Sequence, residues 1–406
     1  MNVYFSGISG TGIGPLAELA QDAGITVFGS DLKRGAISDE LEARKIEVSY
    51  GEQDGSFLRK KYAEDGVDWV VYTSALPKGH AELQAAKELG VKCTKRDEFL
   101  AELIQQKNLK MIAVAGTHGK TTTTAMLVWA MKELDIPISY LTGTTLNWGN
   151  SGQYDPKSQY FIYEADEYDR NFLAYHPYLA VITCIDYDHP DTYPTIQEYK
   201  AAFDQFMSQS DNVVINTTIS SDITLVGGLR RQDASIALEV IEKVAPEIGY
   251  SRIIDALNSF PGAGRRFEEI SHGVYSDYAH HPNEIASTVK MAVELKERDQ
   301  YAGLAIIYQP HQNTRQYEVK DGYKNAFVGA DKIFWLPTYL TRENPDLAIL
   351  SPEELSEKTE TKAQTEVVEL NDDLAAKIHQ LHKDNWLIVL MTAGSADSWL
   401  REQFKD

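Results

Sequence analysis

Short apolar runs recur along the chain, and each closes on glycine, hydroxyl or acidic residues. Runs of this length, bounded by turn formers, predict strands. They fall at residues 2–6, 26–28, 67–72 and 91–93, then at 112–115, 138–141, 161–163, 179–184 and 211–215. A last group covers 274–276, 304–308, 332–336 and 386–391. Between them, apolar residues return with helical spacing at 15–23, 80–89, 96–105, 125–134, 200–207, 234–244 and 282 to about 298. Ser351-Pro-Glu-Glu354 is a capping box with proline at the first helical position. Alternating strands and helices predict an α/β protein with mainly parallel sheets, whose ligands gather at the carboxyl ends of the strands. A polar link at 106–110 and the hinge-like Pro261-Gly-Ala-Gly264 divide the chain into three domains, 1–107, 108–260 and 261–406. The outer two read as Rossmann-like and the central one as a P-loop type.

The strongest chemical signal is Ile112-Ala-Val-Ala-Gly-Thr-His-Gly-Lys-Thr-Thr-Thr-Thr124. A strand, a glycine-flanked turn and a helix start form a phosphate cradle, because the first backbone N–H groups of a helix are unpaired and its dipole is positive there. Gly116, Thr117, His118, Gly119, Lys120, Thr121 and Thr122 are the expected phosphate-binding residues. Lys120 supplies a point charge, and the Thr121 hydroxyl stands where magnesium is usually coordinated. The general P-loop would place a glycine at 114, where this chain has Val114.

Other strand ends carry polar clusters. Gly7-Ile-Ser-Gly-Thr-Gly-Ile-Gly14 follows the first strand, and Asp31 closes the second where it could reach a ribose. Pro15 stands in place of the third fingerprint glycine, so a sugar nucleotide such as a UDP-sugar is as admissible as a dinucleotide. Ser9, Gly10, Thr11, Asp31 and Ser74 are the expected contacts. Glu164-Ala-Asp-Glu-Tyr-Asp169 places four carboxylates directly after a strand, which suits magnesium beside a phosphate loop. His189 lies among acids in the next such loop and is a candidate second-metal ligand.

Composition narrows the setting. The 406 residues are 43% hydrophobic and 24% charged, enough to bury a large core. A net charge of −21 repels phosphate backbones and argues against nucleic acid. Cys93 and Cys184 are the two cysteines and define neither a disulfide framework nor a zinc site. No basic leader opens the sequence, and no run reaches the ~20 apolar residues of a membrane span, so a cytoplasmic protein with no membrane partner is expected.

Taken together, these motifs resemble the Mur ligase family of ATP-dependent amide-forming enzymes. The resemblance runs through Gly116-Thr-His-Gly-Lys-Thr-Thr122, Glu164-Ala-Asp-Glu167, Asp188-His-Pro-Asp-Thr-Tyr193, Gly264-Arg-Arg-Phe267, Asp277-Tyr-Ala-His-His-Pro-Asn-Glu284, Gln309-Pro-His311 with Arg315, and Ala393-Gly394. It implies a monomer or weak homodimer that uses ATP and Mg2+ to join an amino acid to UDP-N-acetylmuramate through an acyl phosphate. The Gly7 loop, the Thr-His form of the phosphate loop and the His-His-Pro run point to the branch that adds L-alanine. On this resemblance Lys120, Glu164 and His189 are catalytic, and Thr121, Glu164 and His189 hold metal. Arg266 meets phosphate, and His281, His311 and Arg315 meet substrate. Alternatives are a ligase of the same family that recycles a tripeptide, suggested by Tyr168, and a non-catalytic UDP-sugar-binding relative. Three departures are visible: Cys184 replaces the usual asparagine, Gly228-Leu-Arg-Arg-Gln-Asp-Ala234 lacks the family's adenine-contacting His and Asn residues, and the central domain is short.

Overall fold

Three sheets carry the chain, and the apolar runs are their strands. The structure, a computed structural model, describes every residue except Thr11, Ala36, Ser74, Ala75, Lys78, Thr145, Asn147, Pro190, Asp191, Arg342, Lys362 and Asp406. The first sheet contains β1 (Asn2–Ser6), β2 (Thr26–Asp31), β3 (Glu47–Tyr50), β4 (Trp69–Tyr72) and β5 (Lys92–Lys95). All are parallel, in the order β3-β2-β1-β4-β5. The order reverses at β1, so the glycine-rich loop after β1 lies at the switch point where open α/β sheets bind ligands.

The second sheet contains β6 (Lys110–Ala115), β7 (Ile138–Leu141), β8 (Gly152–Gln153), β9 (Tyr160–Glu164), β10 (Leu179–Ile182) and β11 (Asn212–Val214). Its order is β11-β10-β6-β9-β7-β8, parallel apart from β8. β6 lies between β10 and β9, so the loops after these three strands are neighbours. Residues 215–227 form neither strand nor helix before the Gly228–Val244 helix, which is the shortening read from the sequence. The third sheet contains β12 (Glu268–Ser271), β13 (Val274–Asp277), β14 (Gly303–Gln309), β15 (Lys332–Trp335), β16 (Gln364–Val367) and β17 (Trp386–Thr392). Its order is β12-β13-β17-β14-β15-β16, with only β12 antiparallel.

The chain divides into two compact units, Met1–Ile223 with Asp233–Phe260, and Thr224–Gln232 with Pro261–Asp406. Within the first, one apolar core serves both sheets: Val3, Phe5 and Phe99 belong to the same cluster as Ala113, Phe161 and Phe203. Phe99 meets Phe5 and Trp69 edge-on, with ring centroids 5.5 and 4.9 Å apart. That contact fixes the Arg96–Gln106 helix and the polar residues at its start. No described helix is long and apolar enough to cross a membrane.

One buried acid in this unit makes stability depend on pH. Glu18, on the Gly14–Asp22 helix, is 1% exposed, and Arg44 Nε lies 3.2 Å from its carboxylate. Burial outweighs Arg44 and raises the Glu18 carboxyl from 4.5 to about 7. The folded state therefore binds a proton that the unfolded chain has released. Stability is unaffected below the unfolded value, declines as pH rises from there to the folded one, and levels off above it, having lost on the order of 3 kcal/mol. Glu18→Gln should flatten this decline in urea denaturation measured from about pH 5 to 8. An unchanged slope would assign the pH dependence to other groups.

Candidate active site

The site begins where β6 ends. Gly116 has φ +140° and Gly119 has φ +83°, backbone that favours glycine, and Gly119 caps the Lys120–Glu133 helix. The sharp turn aims the start of that helix at the space above the sheet. The loop is tied to the segment after β10. The Thr117 N–H donates to Cys184 O at 3.0 Å, and its hydroxyl donates to Asp186 O at 2.7 Å. The His118 N–H donates to Cys184 Sγ at 3.3 Å. Cys184 therefore supports the loop from the position where asparagine is usual, and burial raises its thiol pKa, favouring the neutral acceptor.

Two acids, one at the end of β9 and one in the loop after it, reach the start of the helix. The Thr121 hydroxyl donates to Glu164 Oε1 at 2.8 Å, and the Gly143 N–H donates to Glu164 Oε2 at 3.1 Å. Lys120 Nζ donates to Glu167 Oε1 at 2.9 Å and lies 2.8 Å from Oε2. His189 Nε2 stands 3.5 Å from Glu167 Oε1, and the His189 ring meets Tyr168 edge-on at 5.2 Å. His189 has φ +55°, unusual for a non-glycine residue and common at functional sites. Lys120, Thr121, Glu164 and His189 are thus brought together. The sequence reading did not single out Glu167, which joins Lys120 to His189. Glu167 is 1% exposed, and burial raises its carboxyl pKa against the pull of Lys120.

A cleft of about 320 Å³ opens beside these residues. Lys120, Gly143, Glu164 and Asp166 line it together with Gly12 and Arg96. Arg96 Nη1 donates to Gly12 O at 3.1 Å, anchoring the glycine-rich loop beside the cleft. Asp31 Oδ2 accepts the Ser9 N–H at 2.9 Å, and the Ser9 hydroxyl accepts from Ser38 Oγ at 3.2 Å. These two expected substrate contacts therefore also hold each other. Gly10 is exposed on the same loop, and Thr11 and Ser74 lie outside the described residues.

Residues 2–108 match the Mur ligase family, catalytic domain, and residues 114–237 match the Mur ligase middle domain. The chain is 31% identical to a UDP-N-acetylmuramate–L-alanine ligase of Fusobacterium nucleatum, over 98% of this chain and 96% of that one. The chain belongs to the Mur ligase family. The resemblance carried by its motifs is borne out. The fold of this Mur ligase is similar to that of the UDP-N-acetylmuramate–alanine ligase of Thermotoga maritima, with a TM-score of 0.77 at 20% identity, covering 99% and 98% of the two chains. It is also similar to the murein peptide ligase of Psychrobacter arcticus, with a TM-score of 0.60 at 23% identity and the same coverage.

The second unit of this Mur ligase gathers the remaining expected residues. The Arg265 and Arg266 guanidinium groups lie 4.7 and 5.1 Å from the centre of the Tyr278 ring. The His311 ring stacks on Tyr339 at 5.8 Å and faces His280 at 5.7 Å. Burial lowers the pKa of both histidines, and the positive charge of Arg315 adds to this. His281 Nδ1 instead accepts the Asn283 N–H at 3.4 Å and caps the Pro282–Asp299 helix. Of the two adjacent histidines, His280 is the one beside His311. Sequence could not separate them, because only the geometry of the helix start decides which ring turns inward.

The site also fits magnesium by donor chemistry. Thr121 and Glu164 offer hard oxygen donors side by side. Among the described residues, no group of three or more His, Cys, Asp or Glu side chains forms a closed cage. Magnesium keeps several waters and takes phosphate oxygens, so a partial protein shell suits it better than a full one.

Proposed function

We propose that this Mur ligase joins L-alanine to the lactyl carboxylate of UDP-N-acetylmuramate at the expense of ATP. The observation that carries this reading is the meeting of Lys120, Thr121, Glu164 and His189 around one phosphate loop. A carboxylate is a poor acyl donor because its leaving group would be oxide. Attack by a carboxylate oxygen on the γ-phosphorus releases ADP and forms an acyl phosphate. The amine then attacks the acyl carbon, phosphate departs, and a proton leaves the nitrogen. The work of the protein is positioning and charge neutralisation.

In this reading the loop from Gly116 to Thr122 cradles the phosphates, with the unpaired N–H groups at the start of the Lys120–Glu133 helix as donors, and Lys120 neutralises the charge that develops on them. Thr121 and Glu164 would hold one Mg2+ and His189 a second, supplying Lewis-acid stabilisation of the phosphoryl oxygens. Domain 1–107 would take the UDP moiety through Ser9, Gly10, Thr11, Asp31 and Ser74. Domain 108–260 would take ATP, and domain 261–406 would take the amino acid. Arg266, His281, His311 and Arg315 are assigned to substrate or phosphate, and His280 joins them by its place beside His311. ATP and nucleotide sugars place the reaction in the cytoplasm, with the enzyme a monomer or weak homodimer.

A second reading rests on Tyr168, whose ring lies against His189. It makes the acceptor amine that of a tripeptide. An ADP-release assay with UDP-N-acetylmuramate tests both. Turnover with L-alanine and little with L-Ala-γ-D-Glu-diaminopimelate is expected. The opposite preference would favour the second reading, and ADP release with neither amine would overturn both.

A further inference from the structure

Glu167 has no part in the scheme above, although it touches two groups to which that scheme gives work. Its carboxylate is almost wholly buried. The Tyr193 hydroxyl donates to Glu167 O at 2.6 Å and the Arg170 N–H to the same oxygen at 3.1 Å, so the backbone beneath the side chain is held. On one side the carboxylate takes Lys120, and on the other it faces His189 at 3.5 Å.

Lys120 is fully engaged. Besides Glu167, its ammonium donates to Gly116 O at 2.5 Å and to Thr117 O at 3.3 Å. An ammonium has three protons, and three acceptors of its own surroundings take them. Phosphate can gain Lys120 only by displacing one of these acceptors. Among them the carboxylate is the charged one, and so the strongest competitor. A buried carboxylate that loses its cation is costly to leave alone, and the imidazole at 3.5 Å is the next donor within reach.

We propose that Glu167 is a positioning residue with two successive partners: it parks Lys120 while the loop is free of nucleotide, and it orients His189 once Lys120 has moved to the phosphates. The proposal rests on the reading of the Gly116 loop as an ATP site. It makes the two halves of the reaction respond in opposite directions when the charge is removed. Binding of nucleotide improves, because Lys120 no longer has to be drawn from an anion. Turnover falls, because His189 loses its acceptor.

Glu167→Gln keeps the shape and removes the charge. In calorimetric titration of the full chain with Mg-ATP and no sugar nucleotide, the variant should bind roughly 3- to 10-fold more tightly than wild type. In ADP release its kcat should fall about 10-fold or more. In a Lys120→Ala background the same substitution should leave Mg-ATP affinity unchanged, since no lysine remains to be released. Glu167→Asp shortens the reach while keeping the charge. It should shift both quantities the same way by less, and it serves if the glutamine variant does not fold. Weaker Mg-ATP binding in the folded variants, or a fall in kcat at unchanged affinity, would overturn the proposal while leaving the ATP reading intact. Failure of the wild-type chain to bind Mg-ATP would overturn both.

Discussion

Lys120→Ala is expected to lower ATP-dependent phosphate release by roughly 10³-fold or more, the scale on which preorganised charges act on a transferring phosphoryl group. The loss should fall on kcat as well as on nucleotide affinity, because negative charge on the outer phosphates grows as the bond to the leaving group breaks. Among the described residues that line the cleft, one other cation is present. It is Arg96, which already donates to Gly12 O. The folding penalty should be smaller. Removing the ammonium leaves Glu167 buried beside His189, but a carboxyl already raised by burial can take up a proton and avoid an unpaired charge. Steady-state ADP release and a thermal melt of the same preparation separate the two effects. Near-normal turnover in a folded Lys120→Ala protein would remove the basis of the functional reading.

The interior strands were legible because they are buried on both faces and therefore read as continuous apolar runs. β6, β10, β14 and β17 are examples, with Val114, Val181, Ile307 and Leu390 all at 0–1% exposure. The edge strands β3 and β16 carry no such signal. Glu47-Val-Ser-Tyr50 and Gln364-Thr-Glu-Val367 each pair on one side only and keep polar residues, so the sequence did not mark them. The phosphate-loop helix starts at Lys120, not at 125, because the four threonines disguise it. β-Branched residues disfavour helix weakly, whereas burial of Thr123 and Thr124 at 0% exposure and the glycine turn before them decide the matter.

The site was legible to the level of the loop and not to that of the atom. Glu164 and Glu167 share one acidic run, and residue type alone does not rank them. Their division of labour follows from which side of the Lys120–Glu133 helix start each one reaches: Glu164 meets the hydroxyl and Glu167 meets the ammonium. The departures from the family pattern resolve in the same way. Cys184 retains a donor and an acceptor contact to the loop through its thiol, which accepts the His118 N–H at 3.3 Å and donates to His118 O at 3.6 Å, each weaker than the bond an amide would make. Of the two arginines in the altered Gly228 segment, Arg231 is paired with Glu294, both within the second unit.

Gly116→Ala should cost nucleotide affinity by about 10²-fold or more and folding stability by roughly 2–4 kcal/mol. A methyl group at this position would lie 2.1 Å from Thr183 Oγ1, 2.9 Å from Cys184 O and 3.0 Å from Cys184 N. The side chain of Thr183 could turn away only by giving up its bond to His118 O. The Cys184 backbone cannot turn away, because β10, which leads into it, pairs with β6 on one side and β11 on the other. The φ of +140° adds backbone strain that any side chain would feel. The loop would therefore shift off the β10 segment, taking with it the N–H groups meant for phosphate. Thr183→Ala in the same chain should restore only part of the loss, since the Cys184 contacts and the strain remain. Gly119→Ala should be milder. Its φ of +83° is closer to the region that other residues enter, and its nearest obstacle, Asp233 Oδ1 at 2.5 Å, is the end of a side chain. Thermal melts and Mg-ATP titrations of the three variants give the order. If Gly119→Ala proved the more damaging, the cradle would be organised by its helix end and not, as the packing here requires, by the turn that leaves β6.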